Sequence, residues 1–251
     1  MLSNGNNLLE VNPANAAVIR QVAHFDGGSR PALAVDPLSG DLFVSGFDGI
    51  ERISNYATGP GTVTHYTSGD FDGIVFAPDG TLYAAAQTAV YRITGTNSPN
   101  PGTRTAIVFL PGSPDGMALE PNAANPAKPI LFVNRNDGTI TRVDTSTLPD
   151  PAPNPCGSSC TDIFSGGSRG DFVAVGPGGC LYATQSERVI RITKADGTCS
   201  LQPNSVRSAT DAYSRERTAI ASAGNDGDIY GDAPECRQPG EHSGVTFHQR
   251  R

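Results

Sequence analysis

Short runs of alternating apolar and polar residues recur along the chain and predict β-strands. Four segments share one form: an alternating run that ends at a proline, a glycine-containing turn, and a second strand that begins with Leu and an aromatic residue. The prolines that end these runs are spaced by 41, 43 and 56 residues and are Pro37, Pro78, Pro121 and Pro177. This period excludes a helix-rich fold and predicts repeated antiparallel hairpins.

Each hairpin is followed by two further strands. The third strands are predicted at 49–54, 89–94, 138–144 and 188–193, and the more variable fourth strands at 62–66, 104–109, 161–164 and near 204–208. Four antiparallel strands in a unit of this length are typical of one blade of a β-propeller. The blades are therefore predicted near 31–66, 72–109, 115–164 and 171–208.

The two ends of the chain resemble the halves of one further blade. Residues 8–25 have the pattern of third and fourth strands, and 218–232 have that of first and second strands. The sequence thus predicts an all-β propeller of about five four-stranded blades over 1–232, closed by pairing of the N- and C-terminal strands so that no sheet edge is free. In the alternative, 208–251 form a tail and the ring is an incomplete fragment. We expect 233–251 to be a disordered tail in either case.

The composition of the chain limits the classes of partner that it is expected to bind. The chain has 251 residues, 37% of them apolar, and a net charge of −7 without any long basic run, so nucleic acid is not expected to bind. Its apolar runs are far shorter than the roughly 20 residues of a membrane span. We expect a monomer that binds a small molecule, a glycan or a protein.

Four of the five cysteines are placed to form local disulfides. Cys156 and Cys160 lie in a loop rich in Pro, Gly and Ser, and Cys180 and Cys199 bracket two predicted strands, which leaves Cys236 over. A metal site at the Cys-x-x-x-Cys spacing has no second Cys/His pair to complete it. Two disulfides predict a secreted or periplasmic protein, although the first residues lack the features of a signal peptide.

Three aspartates occupy the same place in three repeats. Asp72, Asp115 and Asp171 each lie six residues before the strand-ending proline, where the innermost strand of a blade begins. Three carboxylates would then meet at one mouth of the central channel, where a divalent cation such as Ca²⁺ would relieve their repulsion. In the alternative, each Asp caps its own turn by accepting backbone N–H bonds.

The phrases Asp72-Gly-Ile-Val-Phe-Ala-Pro-Asp-Gly-Thr-Leu-Tyr83 and Pro114-Asp-Gly-Met117 resemble the SMP-30/gluconolactonase group and the wider NHL-like propellers. The resemblance implies that Asp72 and Asp115 bind a central divalent cation. The Glu that the group carries in an early blade has no counterpart at 27–31.

We therefore expect a secreted propeller that acts as a binding scaffold with a cation at its channel. The alternative is a metal-dependent lactonase or esterase that resembles the SMP-30 group, with Asp171 as third ligand or base. Motifs of the usual serine hydrolases and nucleotide-binding proteins are absent from the sequence. His65 lies in an ordinary predicted strand and is expected to be structural or solvated.

Overall fold

The computed structural model describes residues 2–4, 6–26, 30–122, 125, 127–149, 156–176, 179–194, 198–199 and 207–211. Over these residues the chain forms five antiparallel sheets and one turn of 3-10 helix, Gly157–Ser159. By its internal contacts the chain divides into Met1–Glu216 and Arg217–Arg251, and every described residue lies in the first of these units.

Each sheet is built from strands that follow one another along the chain. The first sheet contains β1 (Leu2–Asn4), β2 (Asn7–Val11) and β3 (Val18–His24). The second contains β4 (Leu33–Val35), β5 (Leu42–Gly46), β6 (Gly49–Ser54) and β7 (Thr62–Thr67). The third contains β8 (Ile74–Phe76), β9 (Leu82–Ala86), β10 (Ala89–Ile93) and β11 (Arg104–Phe109). The fourth contains β12 (Pro114–Glu120), β13 (Ile130–Arg135), β14 (Ile140–Asp144) and β15 (Cys160–Phe164). The fifth contains β16 (Val173–Val175), β17 (Leu181–Gln185), β18 (Arg188–Lys194) and β19 (Arg207–Asp211).

The hairpins that open three of the repeats turn on a glycine with positive φ. Gly40, Gly80 and Gly179 have φ values of 76°, 83° and 81°. Residues with a Cβ rarely adopt this left-handed conformation, which glycine adopts without strain. In each turn the glycine amide donates a hydrogen bond to a carbonyl three or four residues earlier. The turn is therefore encoded locally, and this makes the repeat visible in the sequence.

Alternation along the strands sends apolar side chains to both faces of the middle sheets. On β5, Leu42 and Val44 pack against the first sheet, whereas Phe43 packs against the third. Strands β9 and β13 divide their side chains between two neighbouring sheets in the same way. The described residues thus form four apolar layers, and each layer joins two sheets that are consecutive in the chain.

The first strands of the repeats contact one another in series. Strand β4 contacts β8, β8 contacts β12, and β12 contacts β16. Antiparallel sheets joined through their first strands are characteristic of a β-propeller, in which the first strand of each blade faces the central channel. The predicted fold class is therefore confirmed.

The described residues do not close the ring. No apolar layer within them joins the fifth sheet to the first. In addition, β1 pairs with β2 along the edge that the sequence analysis assigned to 218–232, and this strand at Leu2–Asn4 was not predicted. Residues 218–232 and the predicted tail 233–251 lie outside the described residues, so closure by the C-terminal segment stays a prediction.

Candidate functional site

The starting ends of three inner strands lie in backbone contact and bring the three predicted aspartates to one place. A Cβ at Gly73, which follows Asp72, would lie 2.2 Å from the carbonyl oxygen of Asp115. A Cβ at Gly116 would lie 2.1 Å from the carbonyl oxygen of Asp171. Only glycine allows strands to approach this closely, because any side chain would occupy the space of the neighbouring carbonyl. The glycine that follows each of these two aspartates thus sets the spacing of the site.

Side chains from the preceding sheets hold two of these ends in place. The Ser45 hydroxyl on β5 donates a hydrogen bond of 2.8 Å to the carbonyl of Asp72. The Asn134 amide on β13 donates to the carbonyl of Phe172, the residue after Asp171, at 3.0 Å. Both donors occupy equivalent places near the end of the second strand of their sheets, so one sheet positions the functional end of the next.

Asp115 is the buried member of the group. The residue is 6% exposed, and the regular pairing of β12 with β13 is interrupted between Pro114 and Met117, which turns this part of the strand away from the regular ladder. Burial, together with the charges of Asp72 and Asp171, raises the pKa of Asp115 to about 8. The neighbouring Asp171 side chain thus acts in the same direction as burial. A pKa of about 8 keeps Asp115 protonated at neutral pH.

Asp72 and Asp171 complete the acidic group, and Arg169 provides its positive charge. Burial, and then the charge of Asp70, raises the pKa of Asp72. The Arg169 guanidinium donates from Nε to Asp171 Oδ1 at 3.1 Å, and its Nη2 lies 3.9 Å from Asp115 Oδ2. The Arg169 side chain is 65% exposed, so solvent weakens its effect on the buried carboxyl. The sequence analysis did not assign Arg169 to the site, because only its position two residues before Asp171 hinted at the contact.

The alternative role of these aspartates as turn caps is not what the structure contains. Within the described residues, no backbone N–H donates to the side chains of the three site aspartates. Other aspartates do accept such bonds from the amide two residues further on, at 2.9 to 3.1 Å, and these are Asp36, Asp79, Asp137 and Asp144. Among the residues that the structure describes, a different set of aspartates therefore supplies these caps.

The fit of this group to a metal ion is partial. Carboxylate oxygens are the ligands that Ca²⁺ prefers, and the contact between Asp115 and Asp171 would place two of them on one ion. Among the described residues, however, no three His, Cys, Asp or Glu side chains are arranged to hold a metal ion. The present arrangement is that of a buried, protonated Asp115 with the side chains of Asp72 and Asp171 nearby.

Both predicted cysteine pairs are disulfide-bonded in the structure. Cys156 and Cys160 are separated by four residues and lie at the start of β15, and Cys180 and Cys199 are separated by 19 residues and flank β17 and β18. Cys236 lies outside the described residues. No helix among the described residues is long and apolar enough to cross a membrane.

Several solved structures share the fold. A gluconolactonase from Xanthomonas campestris superposes with a TM-score of 0.53 at 17% sequence identity, over 74% of this chain and 65% of that one. The PQQ domain of a pyranose dehydrogenase from Coprinopsis cinerea gives 0.53 at 12% identity, over 63% and 44%. A protein of unknown function from Bacteroides caccae gives 0.54 at 12% identity, over 84% and 72%.

These likenesses establish the fold alone, because the sequence identities are low. This chain spans less than two thirds of the length of the gluconolactonase and of the PQQ domain, with coverage of 65% and 44%. No protein-family model matches the sequence, and no curated protein matches it. The class defined by the fold and the site is a β-propeller with an acidic group at one end of its inner strands.

Proposed function

We propose that this protein is a propeller-based binding scaffold that takes a divalent cation, with Ca²⁺ as the first candidate, at the channel mouth formed by Asp72, Asp115 and Asp171. The observation that carries the proposal is that these carboxylates converge while none of them caps a turn. One of them is buried against the other two, and its nearest positive charge is 3.9 Å away on an exposed side chain. Such a group is stabilised when a hard cation replaces the proton of Asp115.

Different residues of the site would have different roles in binding. The carboxylates of Asp115 and Asp171 would supply oxygen ligands after Asp115 loses its proton, and Asp72 would add negative charge beside them. The exposed Arg169 would be free to exchange its partner at Asp171 for an anionic group of a bound ligand. When bound, the cation would supply positive charge that attracts an anionic or carbonyl group to the mouth of the channel.

Calorimetric titration of Ca²⁺, Mg²⁺, Mn²⁺ and Zn²⁺ into chelator-treated protein tests this proposal. We expect saturable binding of Ca²⁺, and a loss of affinity of about tenfold or more, equal to about 1.4 kcal/mol, in Asp115→Asn and Asp171→Asn. Asp79→Asn is the matched control, since Asp79 is an exposed aspartate that accepts a hydrogen bond from the Thr81 amide. The absence of saturable binding to any of the four ions would overturn the cation site.

The two disulfides support a location outside the reducing cytosol, such as secretion or the periplasm. Disulfides persist in oxidising compartments and are rare among cytosolic proteins. The alkylation state of the cysteines in protein isolated from its native host tests this location. We expect Cys156, Cys160, Cys180 and Cys199 to resist alkylation until a reductant is added, and immediate alkylation of all four would contradict the proposal.

Metal-dependent hydrolysis of a lactone or ester is the second candidate function. It is supported by Asp171, whose half-exposed side chain could serve as a base toward solvent. Asp171 lies beside the buried, protonated carboxyl of Asp115. A pH-stat assay with a lactone, with and without Ca²⁺, separates the two candidates. Turnover that requires the cation and is lost in Asp171→Asn favours the enzyme, and cation binding without turnover favours the scaffold.

A further inference from the structure

A hydroxyl, an imidazole and a carboxylate are aligned on the second sheet, away from the three site aspartates. Glu51 on β6 and His65 on β7 are directly paired across the two strands. His65 Nδ1 lies 3.1 Å from Glu51 Oε1, and His65 Nε2 lies 2.9 Å from Ser68 Oγ. Each ring nitrogen therefore has its own partner, and the imidazole bridges an acid and a hydroxyl.

The chemistry of the carboxylate fixes the direction of the relay. An ionised Glu51 can only accept a hydrogen bond, so His65 must carry its proton on Nδ1. Nε2 is then an acceptor, and the Ser68 hydroxyl donates to it. This is the order of groups by which a base withdraws the proton of a nucleophilic serine while a carboxylate holds the imidazole in the required tautomer.

The local fold holds the imidazole in this orientation. Glu51 follows an irregularity in the pairing of β6 with β7, and its side chain is 13% exposed. Gly49 has a φ of 146°, and a Cβ at this position would lie 2.7 Å from His65 Cε1. The ring is thus fitted against a backbone that has no side chain, and the carboxylate is shielded on one side from water.

Positive charge and a backbone amide lie beside the hydroxyl. The Arg104 guanidinium donates from Nη1 to the carbonyl of Ser68 at 2.6 Å, and a Cβ at Gly69 would lie 2.6 Å from the same nitrogen. The amide of Gly69 directly follows Ser68, as does the amide that serves as an oxyanion donor after many nucleophilic serines. A positive charge is therefore held against the backbone of the residue that carries the hydroxyl, where it would favour a developing oxyanion.

A second histidine of the same protein lacks this arrangement and provides a comparison. His24 on β3 is exposed, and its Nδ1 bonds to the side-chain amide oxygen of Asn7 at 2.8 Å. Within the described residues it has neither a carboxylate nor a hydroxyl as partner. His24 thus has one neutral partner, whereas His65 has a carboxylate on one side and a hydroxyl on the other.

We propose that Ser68 is a nucleophile, activated by His65 and oriented through Glu51, that cleaves carboxylic esters with small acyl groups. Ser68 Oγ attacks the ester carbonyl carbon, and its proton passes to His65 Nε2 and then to the departing alkoxide, which leaves as an alcohol. Water then attacks the acyl-serine with His65 as base, which releases the carboxylic acid and restores the serine. Ser68 is exposed and the His65 side chain is 49% exposed, so a small ester reaches the hydroxyl directly from solvent.

Labelling of the full chain with a fluorophosphonate ester tests the nucleophile. We expect one adduct by intact mass, located at Ser68 by peptide mass spectrometry and absent from Ser68→Ala. Labelling should slow by about 100-fold in His65→Gln, because the general base is lost, and should also slow in Glu51→Gln. His24→Gln and Ser98→Ala are the matched controls, with unchanged rates expected.

Hydrolysis of p-nitrophenyl acetate provides the second measurement. We expect a burst of p-nitrophenol that depends on Ser68 and His65 and is unaffected by a chelator, because the relay shares no residue with the proposed cation site. Thermal melting of each variant checks folding. Ser68→Cys gives an independent readout, since iodoacetamide should alkylate this single variant faster than the double variant that also carries His65→Gln. No adduct at Ser68, or labelling of Ser98 at the same rate, would overturn the proposal.

Discussion

Asp36 lies fully buried in the turn between β4 and β5. Its carboxylate accepts hydrogen bonds from the Leu38 amide at 3.0 Å and from the Thr96 hydroxyl at 2.7 Å. Thr96 belongs to the loop between β10 and β11, so this bond ties the second sheet to the third. Burial alone would raise the pKa of Asp36, but these bonds and those from Ser39 together hold it below the ordinary value of 3.8.

This lowered pKa predicts how stability changes with pH. A carboxyl whose pKa is lower in the folded state stabilises the protein above 3.8, and its contribution is lost as the pH falls through the lower folded-state pKa. We expect Asp36→Asn to cost about 1–3 kcal/mol of the free energy of unfolding at pH 7. This cost should diminish below about pH 4, as measured by urea unfolding.

The control for this prediction is Asp79→Asn. Asp79 is exposed and accepts a single backbone hydrogen bond, so its loss should matter less at pH 7. If the difference in the free energy of unfolding between the wild type and Asp36→Asn stays constant from pH 7 to pH 3, then the charge of Asp36 does not contribute to stability.

Among the elements, the contact between β8 and β12 depends on Gly73. A Cβ at this position would lie 2.2 Å from the carbonyl oxygen of Asp115, and the atoms in its way are backbone atoms that cannot rotate aside. We expect Gly73→Ala to lower the free energy of unfolding by about 1–3 kcal/mol, because the two inner strands must separate. Chemical denaturation measures the loss.

Gly59→Ala is the matched control, since a Cβ at Gly59 would meet nothing within 4 Å. It should leave the free energy of unfolding nearly unchanged. Equal effects of the two substitutions would show that the close approach at Gly73 costs nothing, because the restriction that alanine places on the unfolded chain stabilises both variants alike.

The hairpins and strands differ in how well the sequence predicts them. The hairpins were predictable because their alternation and their turn glycines, such as Gly40 and Gly80, are local signals. Strand β1 was not, because its three residues at Leu2–Asn4 carry no alternating pattern and form a strand only by pairing with β2. This pairing is local, since Asn4 lies opposite Asn7, but a strand of three residues is too short for alternation to show.

The residues of the candidate site likewise differ in how well the sequence predicts their contacts. Asp72, Asp115 and Asp171 were expected to converge because they occupy equivalent positions in their repeats. Counting residues along the sequence is enough to find these positions. The contact of Arg169 with Asp171 and the alignment of Glu51 with His65 depend on side-chain direction and on an irregular strand register. No local motif encodes either contact. The expectation that His65 is structural or solvated stays a prediction, and the proposed relay is the alternative to it.

For the whole molecule, the serial order of the apolar layers predicts which substitutions are independent. Phe43 lies in the layer between the second and third sheets, and Phe132 lies in the layer between the fourth and fifth. The two layers share no sheet. We expect Phe43→Leu and Phe132→Leu to cost about 1–2 kcal/mol each and the double variant to match their sum within about 0.5 kcal/mol, as measured by denaturant unfolding.

A pair within one layer provides the comparison. Phe43 and Leu82 belong to the same layer, so Phe43→Leu combined with Leu82→Ala should depart from the sum of the single effects. If the separated pair departs from additivity as much as the neighbouring pair, then strain must pass across the intervening sheets and the layers are not independent.

The backbone contact among the starting ends of β8, β12 and β16 has a practical consequence for the search for a ligand. A molecule held at this junction would touch three sheets at once, and unfolding any of them would release it. Occupancy should therefore appear as a rise in melting temperature, since a ligand at 100 times its dissociation constant adds about 2.7 kcal/mol to the folded state. A thermal-shift screen of ions, sugar lactones and small acids can thus find the natural ligand of this surface even when its chemical class is unknown at the start.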